Sequence, residues 1–172
     1  MKRTLSFLSA TLLLASMLAT PSYAEANKTT ATSKSSKSNR SIQAIATDPS
    51  LLNGFRVKET NSATVYLVMD GKKRGIVSAD VYFKLFNSWD GIREYPSLSS
   101  IPDGQVIGEN AQLIRFQSSA TVYLLDEENG RVVKRGITSA SVFNKYNFDW
   151  NKIMVLADSL KNAFPDGSLL DK

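Results

Sequence analysis

The chain has 172 residues and a formal charge of +5, with no histidine and no cysteine. Ser-His-Asp and Cys-His nucleophile systems, histidine or thiolate metal sites and disulfides are thereby excluded. Setting aside Lys2 and Arg3 at the start lowers the charge to +3, and residues 25–50 carry +2 of that, so the rest of the chain stands at only +1 and gives no argument for nucleic acid.

Residues 1–24 read as a secretory signal. Lys2 and Arg3 precede an apolar run over residues 5–18, and Ser22-Tyr23-Ala24 supplies the small residues of a cleavage site. The run falls short of the roughly 20 residues that span a bilayer, and no later segment has a membrane helix's apolar length, so the exported protein is expected to have no transmembrane segment. Residues 25–47 are Ser, Thr, Lys, Ala and Asn with almost no large apolar side chain. Such a segment buries too little surface to offset its ordering entropy and reads as a disordered tether.

From residue 48 the chain repeats itself. Ala63-Thr64-Val65-Tyr66-Leu67 returns as Ala120-Thr121-Val122-Tyr123-Leu124, and Arg74-Gly75-Ile76 as Arg135-Gly136-Ile137. Ser78-Ala79-Asp80-Val81-Tyr82 returns as Ser139-Ala140-Ser141-Val142-Phe143. Trp89 and Ile92 return as Trp150 and Ile153, and Ile101-Pro102-Asp103-Gly104 as Phe164-Pro165-Asp166-Gly167. The expected units are 48–107 and 108–172. The fold class is α+β: each unit is an antiparallel β-hairpin or meander with one main helix and a closing short strand.

Asp70-Gly71 and Asn129-Gly130 are the residues that a two-residue type I′ hairpin turn requires. The second hairpin gains two residues on each arm, which lengthens it without flipping its buried face. Ser78 and Ser139 stand as helix N-caps. The apolar stripes Val81, Tyr82, Leu85, Phe86 and Val142, Phe143, Tyr146 follow, and Asn87 and Asn147 are expected at the helix ends. Residues 153–156 read as a strand, more weakly matched by 92–95, and 158–164 as a short helical turn. Pro-Asp-Gly reads as a turn closing each unit. Ser50-Leu51-Leu52, Gln105-Val106-Ile107 and Ser168-Leu169-Leu170 read as short strands at unit boundaries, the last covering an edge of the second unit.

No catalytic residue, cofactor or metal site emerges. Asp70, Asp80, Asp90, Asp103, Asp126, Asp149 and Asp166 are expected mostly at turns, caps and helix ends, and no calcium-loop spacing appears. The candidate binding residues are Lys72, Lys73, Arg74, Arg131, Lys134 and Arg135, a recurring basic cluster beside each turn, with Tyr66 and Tyr123. The cluster presents either a cationic fork to acidic polymers or the solvated, soluble end of a hairpin. The tyrosines are either sugar-stacking platforms or buried against the helix or the other copy. For Trp89 and Trp150, packing in the core or between units is favoured over ligand stacking.

The string Thr-Val-Tyr-Leu, a Gly turn, Lys-Arg-Gly-Ile, Ser-Ala-Asp/Ser-Val-Tyr/Phe, then Trp and Pro-Asp-Gly resembles a bacterial extracellular tandem repeat of about 60 residues found beside cell-wall hydrolase and other secreted domains. The resemblance covers residues 50–170 and implies an accessory surface or secreted role with no catalytic residues. The expected function is an exported, non-catalytic envelope or secreted module that binds a cell-surface polysaccharide or protein partner. A self-assembling structural protein is the alternative, and a small carboxylate-dependent hydrolase a remote one. The residues leave the partner and the oligomeric state open.

Overall fold

The computed structural model describes residues 48–171. The expected signal and tether lie outside them. Two four-stranded sheets carry one topology. Strands β1 (Arg56–Glu59), β2 (Tyr66–Met69), β3 (Lys72–Gly75) and β4 (Arg93–Tyr95) lie in the order β3-β2-β1-β4. Strands β5 (Gln112–Phe116), β6 (Val122–Glu128), β7 (Arg131–Gly136) and β8 (Met154–Leu156) repeat it as β7-β6-β5-β8. Three strands of each sheet run antiparallel, and the last joins the first in parallel. One helix follows each hairpin, α1 (Ala79–Leu85) and α2 (Ala140–Lys145). The α+β class expected from the sequence holds.

The local signals explain these elements. Asp70 and Gly71 have φ of 55° and 72°, and Asn129 and Gly130 have 52° and 75°, the left-handed pair a type I′ turn needs. Tyr66 pairs with Gly75 and Tyr123 with Gly136, so the longer second hairpin keeps the register of the first. The Ser78 and Ser139 hydroxyls accept from the amides of Val81 and Val142, capping α1 and α2. Asn147 ends α2 with φ of 55°, whereas α1 ends at an extended Phe86, one residue before Asn87.

Alternation along the hairpins divides the burial. Val65, Leu67 and Met69 face a core shared with Val122, Leu124, Leu113, Phe143, Tyr146 and Phe148 of the second unit. Phe86 stacks on Phe148 at 5.8 Å, and the Asp149 amide donates to the Leu85 carbonyl at 2.9 Å. Gly54 closes the same junction, because a Cβ there would stand 2.6 Å from the Lys145 carbonyl oxygen. The opposite sheet faces carry separate clusters, Val57, Val68, Leu98 and Ile101 in one unit and Ile114, Phe116 and Leu125 in the other.

Three local expectations are corrected. Residues 50–52 belong to a 3-10 turn, Pro49–Leu52, with Pro49 in its first turn and Asp48 capping the Ser50 amide. The other two boundary segments are single bridges rather than strands, Ile76 to Ile107 and Ile137 to Leu170; the last nonetheless pairs with the outer strand of the second unit, as expected, through the Leu170 amide to Gly136 O and the Thr138 amide to Leu170 O. Pro-Asp-Gly is an extended segment docked on the outer strand rather than a turn. The Lys73 amide donates to Pro102 O and the Gly104 amide to Lys73 O, and Lys134 repeats this with Pro165 and Gly167. Glycine is needed there for close approach, since a Cβ on Gly104 would meet the Arg74 Cγ at 2.8 Å and one on Gly167 the Val133 Cγ2 at 2.5 Å.

Candidate functional site

The basic cluster is mostly built into the fold. Arg74 is 6% exposed, Lys134 6% and Arg135 2%. The Lys73 ammonium donates to Ile101 O and pairs with Asp103, both at 2.8 Å. Lys134 donates to Phe164 O at 2.6 Å and pairs with Asp166 at 2.8 Å. The recurring lysine therefore fastens the recurring Pro-Asp-Gly. Arg74 and Arg135 turn inward and meet at the junction of the units. Arg74 holds both oxygens of the buried Asp126 carboxylate, at 2.5 and 2.7 Å. Arg135 reaches Asp126 at 3.3 Å and Asp70 at 2.8 Å. Burial alone would raise the Asp126 carboxyl, but the Arg74 hydrogen bonds and charge, the Glu127 amide and Arg135 outweigh it and hold it below the usual carboxylate range. A cationic fork for acidic polymers is thus corrected for Arg74, Lys134 and Arg135, and so is a solvated hairpin end; only Lys72 and Arg131 of the six are exposed. Asp126 is likewise corrected: it stands inside β6, not at a turn or cap.

Tyr66 and Tyr123 are partly buried, but on the sheet face away from the shared core. Each ring lies over the glycine of the paired strand. A Cβ on Gly75 would stand 3.6 Å from the Tyr66 ring, and one on Gly136 3.8 Å from the Tyr123 ring. Their recurrence with Arg-Gly-Ile is that contact, an aromatic covering a bare strand glycine.

The tryptophans correct the expectation of burial in the opposite sense. Trp89 is 46% exposed and Trp150 48%. Each indole stacks on the helix aromatic of its own unit, Trp89 on Tyr82 and Trp150 on Phe143, both with centroids 3.9 Å apart. The Trp150 Nε1–H donates to Asn144 Oδ1 at 3.0 Å, fixing the ring further.

Each tryptophan walls a cleft between its hairpin and its helix, about 310 Å³ in the first unit and about 430 Å³ in the second. All nine residues around the first cleft have their repeat counterparts around the second. Thr64 and Thr121 stand on the strand side, Ser78 and Ser139 at the helix start, and Val77 is replaced by Thr138. Neither cleft is lined by a carboxylate or an amine. From the sequence the serines are helix caps and the helix aromatics core residues; their place beside the tryptophans is seen only in the fold. The signal for the clefts is the repetition itself, since Thr64 and Trp89 recur as Thr121 and Trp150 although none of the four is buried. Comparison of the chain with protein-family models, curated proteins and solved structures gives no match.

Proposed function

We propose that this chain is an exported, non-catalytic module that binds a cell-envelope polysaccharide through its two tryptophan clefts. The observation that carries the reading is the pair of half-exposed indoles, each held flat on a helix aromatic beside threonine and serine hydroxyls. A sugar ring has C–H bonds on its faces and hydroxyls around its rim. Such a ring fits an apolar aromatic wall with a few placed hydroxyls, the usual composition of a small-ligand site. Two similar weak sites on one chain, joined through a shared core, gain by avidity on a repeating polymer. The carboxylate-free linings support a binding rather than a hydrolytic role, because acid–base chemistry on a glycosidic bond needs facing carboxylates. The secretory signal expected over residues 1–24 supports the envelope as the place.

Titration with soluble fragments of the producing cell's envelope polysaccharide, followed by tryptophan emission, tests this directly. The chain holds only two tryptophans. A saturable blue shift is expected; emission unchanged at saturating polysaccharide overturns the reading.

One observation favours self-assembly as a second reading. The outer edge strand β8 exposes Met154 and Val155, at 50% and 47%, where its counterpart β4 carries Arg93 and Glu94. Uncharged edges pair readily with other chains. Concentration-dependent association that Val155→Lys abolishes would support that reading, and a monomer at all concentrations would remove it.

A further inference from the structure

Arg56 lies in β1 opposite Leu67, and in the second unit the matching position, opposite Leu124, is Leu113. The fold therefore accepts leucine where the first unit buries a guanidinium that is only 7% exposed. The other three buried cations, Arg74, Lys134 and Arg135, each pair with a carboxylate. Arg56 pairs with none among the described residues. Its Nη1 donates to the Tyr82 hydroxyl and to Ser88 O at 2.8 Å, and its Nη2 to Asp90 O at 2.6 Å. These acceptors are neutral, and the Nε–H has no acceptor at all. The Asp90 carboxylate accepts from the Ser88 hydroxyl at 3.0 Å and makes no ion pair with Arg56, although its charge is felt at the Tyr82 hydroxyl. The Arg56 guanidinium carbon lies 4.8 Å from the Phe86 ring centroid and 5.7 Å from that of Tyr82, contacts that offset part of the cost of burying a charge without a carboxylate but leave it unneutralised.

The same guanidinium lines a polar cleft of about 290 Å³ where the units meet, with Asn87 and Ser88 from one unit and Asn144 and Asn147 from the other. The Asn144 Oδ1 is occupied by Trp150, so its amide hydrogens remain to donate. A cleft that gathers a cation and amide donors, and that no carboxylate lines, is complementary to an anion. We propose that Arg56, with Asn87 and Asn144, binds a compact oxyanion, a carboxylate or a phosphate, between the two units. The site opens apart from the tryptophan clefts, meeting them only through Asn144, which holds Trp150, and Tyr82, on which Trp89 stacks, and it stands whether or not they bind sugar.

The test is an NMR titration of the purified protein with sodium acetate in one arm and inorganic phosphate in the other, against sodium chloride at matched ionic strength. Saturable shifts of the Asn87 and Asn144 side-chain amides are expected with acetate or phosphate and not with chloride, and the stronger arm identifies the chemistry. Arg56→Leu, which installs the residue of the second unit, is expected to stay folded and to weaken binding roughly tenfold or more. Shifts equal to those in chloride, or an Arg56→Leu protein that responds like the parent, overturn the proposal. The parent titration decides the matter alone if that variant does not fold.

Discussion

Met69 and Asp126 hold the same strand position in the two units, three residues after Tyr66 and Tyr123, and both lie against the same two arginines. The Met69 sulfur is 3.3 Å from Arg74 Nη1 and 3.1 Å from Arg135 Nη1. Asp126 Oδ2 is 2.5 and 3.3 Å from the same two nitrogens. One arginine comes from each unit, so the pair marks the junction of the repeat. The duplicated unit supplies two cations there; an aspartate in place of one apolar residue, Asp70 from the neighbouring turn and Glu128, 3.4 Å from the Arg135 Nε, supply the counter-charges.

Asp126→Asn leaves two buried guanidiniums short of a charge and should cost about 3–5 kcal/mol. Urea unfolding measures it. Because the folded-state pKa of Asp126 lies below its unfolded value, its contribution is present above the usual carboxylate pKa of about 3.9 and is lost as pH falls through the lower folded value. The parent should therefore lose stability in that acid window, and Asp126→Asn should flatten that part of the profile.

Gly167→Ala places a methyl 2.5 Å from the Val133 Cγ2. The outer strand cannot yield freely, since the Gly167 amide donates to Lys134 O at 3.0 Å. A loss of about 1–3 kcal/mol is expected, as for other overpacked sites. In a double-mutant cycle Val133→Ala should recover part of it; additive losses would show that the contact is not the cause.

Asn129 holds φ of 52° at the tip of the second hairpin. Asn129→Gly should be close to neutral, whereas Asn129→Val, branched at Cβ, should cost about 1–2 kcal/mol. Thermal melts of the two variants make the comparison.

The repeat order, both type I′ turns and both serine caps were legible because each depends on neighbours in the chain. The basic residues misled because their partners are remote: Asp126 lies 52 residues from Arg74. A lone aspartate ending Val-Tyr-Leu-Leu on the inward face was the available sign. Trp89 and Trp150 looked like core by size alone, but the shared core closes on Phe86, Phe143 and Phe148 and leaves each indole on the rim. Arg56 stands out only against Leu113, its counterpart in a first strand whose two copies share little sequence.

The direct measurement is the affinity of Trp89→Ala, Trp150→Ala and the double variant for the envelope polysaccharide, with circular dichroism confirming that each is folded. Either single change should weaken binding by roughly a hundredfold, as expected when one of two linked sites is lost, and the double change should abolish it. A folded double variant that binds as tightly as the parent would contradict the account.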